Sequence, residues 1–269
     1  MYKLIALDMD GTLLNPHGQI TPRTHAAIAA ARAQGVTVVL TSGRPLEGMT
    51  PYLAELGLTG QDDYVICYNG ALVQQVSEQR IIRSQLLTGS DARAIAHLAC
   101  ELGVNIHGFS VRQGLISPRI SPYTEHESRL IGQPINLVDF ATLPDDEQIM
   151  KVMMIDPEPL LSRAIAQLPA ELHERYTVVR SAPYFLEFMN KRSNKGTGVA
   201  ALAEHLGLDA SQVIAVGDAG NDHHMIAYAG LGVAMGNATD EIKALAQHTT
   251  GRNDEDGVAQ VIERFILNA

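Results

Sequence analysis

Leu4-Ile5-Ala6-Leu7-Asp8-Met9-Asp10-Gly11-Thr12 is the stretch on which the fold turns. Its first four residues are an unbroken apolar run of the kind that a strand buried on both faces of a parallel sheet requires. Two acids and a glycine follow at once, which places Asp8 and Asp10 at a strand end, the edge of an open α/β sheet where ligands bind. Carboxylates two residues apart at such an end repel unless a hard cation lies between them, and Mg2+ takes oxygen ligands while keeping several waters. Gly11 permits the tight turn that would bend the backbone around the ion, and amides after Asp8 can face an anion. A solvated turn is the plainer reading. By average residue usage, however, the string D-x-D-G-T should occur by chance in well under about one per cent of chains of this length.

Outward from this stretch, Thr21-Pro22 reads as an N-cap and first helical residue, Ala26 to Ala33 is strongly helix-forming, and Gly35 suits a C-terminal stop. A helix over 22–34 is expected, followed by a β-branched strand over 36–40 that stops at Thr41-Ser42-Gly43-Arg44-Pro45. Strand, helix and strand make a right-handed βαβ unit. Ser42 and Gly43 offer a hydroxyl and a closely approachable amide, as a phosphate needs, although Ser-Gly-Arg is also common in ordinary turns. Arg44 fits either a substrate contact or an ion pair.

The same grammar returns near the C-terminus, with helices expected over 198–206, 221–229, 240–246 and 258–267 and strands over 213–216 and 231–235. Lys195 precedes a helix N-terminus and favours an anion there, although read alone it would be an ordinary surface lysine. No P-loop spacing occurs in the chain. Gly217-Asp218-Ala219-Gly220-Asn221-Asp222 is a second acidic strand end. Asp218 is the natural third oxygen ligand, Asn221 can hydrogen-bond a phosphate, and Asp222 can anchor Lys195 or a metal-bound water. A capped helix start with spare acids is the alternative. His223-His224 does not make a metal pair, because adjacent helical residues do not share a face.

Between Arg83 and Asn190 the texture changes. A helix capped by Ser90-Asp91 runs to about Leu102, strands are expected over 151–155, 176–180 and 185–189, and a helix over 160–168. Proline and glycine punctuation from Ser117-Pro118 to Leu143-Pro144 marks a smaller insertion that interrupts the first fold. The expected class is α/β, a Rossmann-like parallel-sheet core over 1–83 and 191–269 with an inserted α+β cap domain over 84–190.

The chain has 269 residues, 46% of them apolar and 19% charged, which excludes global disorder. No stretch is long and apolar enough for a membrane span, and the start of the chain carries no small-residue cleavage site, so a cytoplasmic address is expected. The net charge of -10 argues against nucleic acid or anionic lipid as partner, and an anionic substrate must therefore meet local cations. Cys67 and Cys100 have neither metal-finger nor redox spacing and read as reduced core thiols.

An acidic first strand end, a hydroxyl after the second strand, a lysine, and then Gly-Asp-x-x-Asn-Asp resemble the haloacid dehalogenase superfamily of aspartyl-phosphate enzymes. The insertion, with Thr41 to Pro45, Tyr68-Asn69-Gly70-Ala71, Lys151 to Asp156 and Ser181 to Glu187, is similar to the Cof-type branch with the subclass IIB cap. That resemblance implies Asp8 as nucleophile, Asp10 as general acid and base, and Mg2+ held by Asp8, the Asp10 carbonyl and Asp218. It implies that the Met9 amide, Ser42, Gly43, Asn221 and Lys195 hold the phosphoryl oxygens, and that Asp222 acts behind them. The implied substrate is a small phosphorylated metabolite such as a sugar phosphate, with linkers near 82–84 and 190–193 as hinges of the cap. Tyr123, His126, Glu127 and Arg129 fit a leaving-group contact or plain solvation equally well. A hexose phosphomutase and a non-catalytic phosphometabolite-binding module are the competing functions, and the oligomeric state is not legible.

Overall fold

The computed structural model describes residues 1–268, and the chain divides into two compact units, Met1–Ser84 with Asn194–Ala269, and Gln85–Ser193. The strands before the insertion are β1 (Leu4–Asp8), β2 (Thr37–Thr41), β3 (Tyr64–Cys67), β4 (Leu72–Gln75) and β5 (Ile81–Ser84). The inserted unit carries β6 (Leu87–Thr88), β7 (Asn105–Ser110), β8 (Gly114–Ser117), β9 (Asn136–Leu137), β10 (Gln148–Ile155), β11 (Tyr176–Ala182) and β12 (Phe185–Asn190). After it come β13 (Val213–Gly217), β14 (Leu231–Ala234) and β15 (His248–Thr249).

The first unit is built on one sheet in the order β15-β14-β13-β1-β2-β3-β4-β5. Pairing is parallel from β15 to β3 and antiparallel for β4 and β5. β1 is central and all five of its residues are buried, which is why it carries no alternation of polar and apolar side chains. Register does the rest. Leu7 lies opposite Val216 on one side, and Asp8 lies opposite Thr41 on the other, so the ends of β13, β1 and β2 open onto the same edge. The helix Pro22–Ala33 connects β1 to β2, with Thr21 capping it through the Thr24 amide. This is the Rossmann-like parallel-sheet core expected from the sequence.

The inserted unit has a sheet in the order β11-β12-β10-β7-β8-β9, with β6 also on β10, and is antiparallel except where β8 meets β9. Its two faces differ because side chains alternate along a strand. Ile106, Val152, Met154, Leu186 and Phe188 pack with Ile95 and Ala99 of the helix Gly89–Glu101 and with Leu161 of the helix Glu158–Ile165. The intervening residues, His107, Phe109, Lys151, Met153 and Glu187, point the other way.

Three local expectations are corrected. Thr88, rather than Ser90-Asp91, caps the helix Gly89–Glu101: its hydroxyl accepts from the Asp91 amide and the Asp91 carboxylate accepts from the Thr88 amide. The helix expected over 221–229 begins with a separate tight turn, Gly220–Asp222, and only His223–Tyr228 is α-helical. Cys100 is exposed, not a core thiol, whereas Cys67 is fully buried. The reason is helical phase: Ala92, Ile95 and Ala99 define the buried stripe, and the residue after Ala99 is rotated off it by about 100°.

Candidate active site

Asp8 is the last residue of β1 and is 5% exposed. The next two strands supply its surroundings. Gly217 ends β13, and Asp218 follows with its carboxylate accepting a hydrogen bond from Thr12 Oγ1 at 2.9 Å. Thr12 itself is fixed by the turn after β1, in which Gly11 sits at φ +86° and its carbonyl accepts from Asn237 Nδ2 at 2.7 Å. A Cβ at Gly11 would stand 2.5 Å from Asp218 Oδ2, so the glycine is required both for the left-handed backbone and for the approach of the two acidic loops.

Lys195 opens the helix Lys195–His205, which Asn194 caps through the Thr197 amide at 2.9 Å. The lysine is fully buried, and its ammonium donates to Asp8 Oδ1 and, at 2.6 Å, to Asp222 Oδ1. The other oxygen of Asp222 accepts from the amides of Asp218 at 2.9 Å and Ala219 at 3.0 Å. Both oxygens of Asp222 are thus committed, and it serves as the anchor for Lys195. Ligand oxygens of Asp8, Asp218 and Asp222 lie within 4.8 Å of one another. With Asp222 engaged in this way, Asp8 and Asp218 are the acids with oxygens to offer.

The electrostatics follow from burial and proximity. Burial raises the Asp8 carboxyl well above the usual range, against the downward pull of Lys195. Burial also raises Asp218, with Thr12 pulling it back. Burial works against the Lys195 ammonium, but Asp8 and Asp222 more than offset it and hold the lysine charged. Three acids against one lysine leave the cluster short of positive charge. The site accordingly fits a hard divalent cation: its donors are carboxylate oxygens, and the Gly11 turn keeps clear the space a side chain would fill.

Asp10 stands apart from this cluster. Its side chain is 61% exposed and both oxygens are held by Arg44, from Nη2 at 2.6 Å and from Nε at 3.1 Å. Arg44 also lies over the Tyr52 ring at 5.6 Å. Burial disfavours its charge, yet Asp10 more than compensates. Arg44 thus makes an ion pair, one of the two roles its sequence position offered. Met9 is fully buried, with its carbonyl accepting from the Leu14 amide at 2.9 Å. Ser42, 2% exposed, accepts from the Arg44 amide through Oγ at 3.2 Å.

One contributor was not singled out by its chemistry in the sequence. Tyr68 and Asn69 both have positive φ, 51° and 52°, and the Asn69 amide donates to the Ser42 carbonyl at 2.9 Å. Its side-chain carbonyl accepts from Asn221 Nδ2 at 3.2 Å, and its Nδ2 would be 3.1 Å from a Cβ placed on Gly43. Asn69 therefore ties the loop after β2 to the loop after β13. The signal was available: asparagine followed by glycine is the pair that most readily enters left-handed backbone.

Glu127, one of the four residues considered for a leaving group, is instead 6% exposed, with Lys151 at 3.8 Å. His126 meets Tyr184 edge-on with ring centres 5.7 Å apart, and Tyr123 stacks on Tyr184 at 5.1 Å.

With this geometry established, comparison with known proteins gives a consistent family. YxeH of Bacillus subtilis, a protein assigned only provisionally as a phosphatase, is 43% identical over 269 residues, covering 99% of each chain. The HMP-PP phosphatase of Serratia proteamaculans is 30% identical over 268 residues, covering 99% of this chain and 96% of that one. Among solved structures, the subclass IIB sugar phosphatase BT4131 superposes with a TM-score of 0.79 at 24% identity, covering 98% of each chain, a likeness of fold. The sequence model of the haloacid dehalogenase-like hydrolases matches residues 5–262, and the chain belongs to that family.

Proposed function

We propose that this protein is a phosphatase of small phosphorylated metabolites, sugar phosphates first among them, acting in the cytoplasm through an aspartyl-phosphate on Asp8. The observation that carries the reading is the buried Asp8 carboxylate with Lys195 on one oxygen and the Asp218 carboxylate close by. Family membership supports it, and so do the names of the two relatives.

Mg2+ is the proposed cofactor, with Asp8, Asp218 and the main-chain carbonyl of Asp10 as its protein ligands. Bound there, it would offset the repulsion between Asp8 and a phosphoryl group. Two unit like charges about 4 Å apart repel by roughly 4 kcal/mol at an effective dielectric of 20, a slowing of about a thousandfold.

The remaining steps belong to the protein's own groups. An Asp8 oxygen attacks phosphorus in line, and the bond from phosphorus to the leaving oxygen breaks. Lys195 faces the charge on the transferring group, while the Met9 amide, Ser42, Gly43 and Asn221 orient its oxygens. Asp10 gives a proton to the leaving oxygen, then takes one from the water that hydrolyses the aspartyl-phosphate. Asp10 must part from Arg44 to do so, since both its oxygens are engaged. The negative net charge makes these local groups the principal attraction for an anionic substrate.

The test is phosphate release, with Mg2+, from hexose phosphates, phosphosugar acids, nucleotides, pyridoxal phosphate and HMP-PP. Free phosphate is expected from the wild type and none from Asp8→Asn, whose circular dichroism should be unchanged. Conversion of a hexose 1-phosphate to its 6-phosphate would identify a mutase instead. No turnover across the panel would leave a phosphometabolite-binding module.

A further inference from the structure

The inserted unit contains a cavity of about 530 Å³ that no step above uses. All its lining residues belong to this unit, and none belongs to the unit that holds Asp8, Lys195 and Asp218. One wall is the helix Gly89–Glu101, through the partly buried Ala96 and the exposed Cys100. Ile106 on β7, with Val104 and Phe140, forms the floor, where the core of the unit reaches the cavity with only 2–6% of each residue exposed. The volume falls within the ~300–1,000 Å³ of small-molecule pockets, and a mainly apolar wall with a few charged groups is their usual composition.

The charged groups differ in how far the protein already satisfies them. Arg93 donates to the Leu143 carbonyl and the Asp145 carboxylate, so its charge is compensated. Asp139 accepts from the Ala141 amide at 3.0 Å and forms no ion pair among the described residues. Arg119 is exposed at the mouth, with a single bond from Nε to Asn105 Oδ1 at 2.6 Å, and its two terminal amino groups meet no acceptor among the described residues and face solvent. A guanidinium with its forked end free is a ready partner for a carboxylate, sulfonate or phosphate. His97, which also lines the cavity, faces Glu101 at 3.6 Å and is turned toward its own helix.

We infer that this cavity is a second ligand site, which takes a small amphipathic anion: an apolar, ring-sized body against Ala96, Val104, Ile106 and Phe140, and an acidic group on Arg119. This site is independent of the phosphatase reading. Occupancy stabilises the inserted unit by mass action.

Cys100 provides the readout, since it lies in the cavity wall and is exposed, whereas Cys67 is buried and its thiol is pushed far up by burial. The probe is 8-anilinonaphthalene-1-sulfonate, an aromatic anion, with maleimide labelling of Cys100 in the intact protein. Saturable binding of one dye per chain that slows labelling of Cys100 by about tenfold is expected, as is about tenfold weaker binding in Arg119→Ala. Ala96→Trp, which fills the cavity from a partly exposed helix position, should abolish protection. Dye fluorescence with unchanged labelling of Cys100, affinity unaltered in Arg119→Ala, or no binding at millimolar dye each overturns the proposal. The labelling and Arg119→Ala measurements decide it should Ala96→Trp fold poorly.

Discussion

Lys195 in the Rossmann-like unit and Lys151 in the inserted unit are each buried between two acids, yet the surroundings differ. Lys195 is in tight contact with Asp8 and lies 2.6 Å from Asp222, whose second oxygen is held by two amides. Lys151 is 3.3 Å from Glu187 and 3.8 Å from Glu127, beneath the Phe109 ring at 5.0 Å. The count of one cation to two acids is the same. What differs is how much negative charge is left over. Around Lys195 a third acid, Asp218, deepens the deficit, and the natural remedy is a divalent cation. Around Lys151 there is no third acid, and burial raises Glu127 against the pull of Lys151 just as it raises Asp8 and Asp218 in the other cluster. The loop edge where three strand ends meet gathers three acids around one lysine, whereas the sheet face around Lys151 gathers two.

Replacing each lysine by methionine tests this contrast most severely. Either change leaves two buried carboxylates without their cation, a loss of about 3–5 kcal/mol. Lys195→Met should also abolish phosphate release, whereas Lys151→Met should lower the unfolding midpoint while the folded fraction keeps its kcat. Equal loss of kcat in both variants at retained stability would erase the distinction.

Cation binding comes next in size. Mg2+ at about 100 times its Kd should stabilise the wild type by roughly 2.7 kcal/mol. Asp218→Asn should lose most of that gain in a thermal-unfolding titration, and Glu127→Gln none of it. An undiminished gain in Asp218→Asn would remove that residue from the cation site.

The smallest effect is the pH dependence of Glu127. In the unfolded chain it titrates at its ordinary 4.5, while in the folded chain burial holds the proton more tightly. The folded state therefore binds more protons over that interval, and stability falls as pH rises from the ordinary value through the raised one, then levels off. Glu127→Gln lacks that loss. Its unfolding midpoint should match the wild type in acid and exceed it at neutral pH, and an advantage that is constant across pH would contradict the proton account.

How much of this was legible can be read residue by residue. The apolar run 4–7 ending in Asp8, and the short strand ending before Asp218, were plain because a buried parallel strand needs apolar side chains on both faces and then a polar exit. Helix caps were less legible: Thr88, Ser90 and Asp91 cluster around the helix start at Gly89, and only backbone geometry selects Thr88. Asn69 was visible only within the Tyr68-Asn69-Gly70-Ala71 string that resembles the Cof-type branch, and its link between two loops depends on strands that are neighbours in space and remote in sequence.

The chain's own order of residues determined the strand ends, the acids and lysine they carry, and the break in texture where the insertion begins, because periodicity and turn chemistry act over a few residues. Only the tertiary structure decided that Asp222 serves Lys195, that Arg44 closes on Asp10, that Glu127 turns inward to Lys151 and that Cys100 stands in the wall of a cavity. These depend on which strands lie side by side and in what register, and on how each helix is phased against its sheet, and such pairings are settled by packing across the whole molecule.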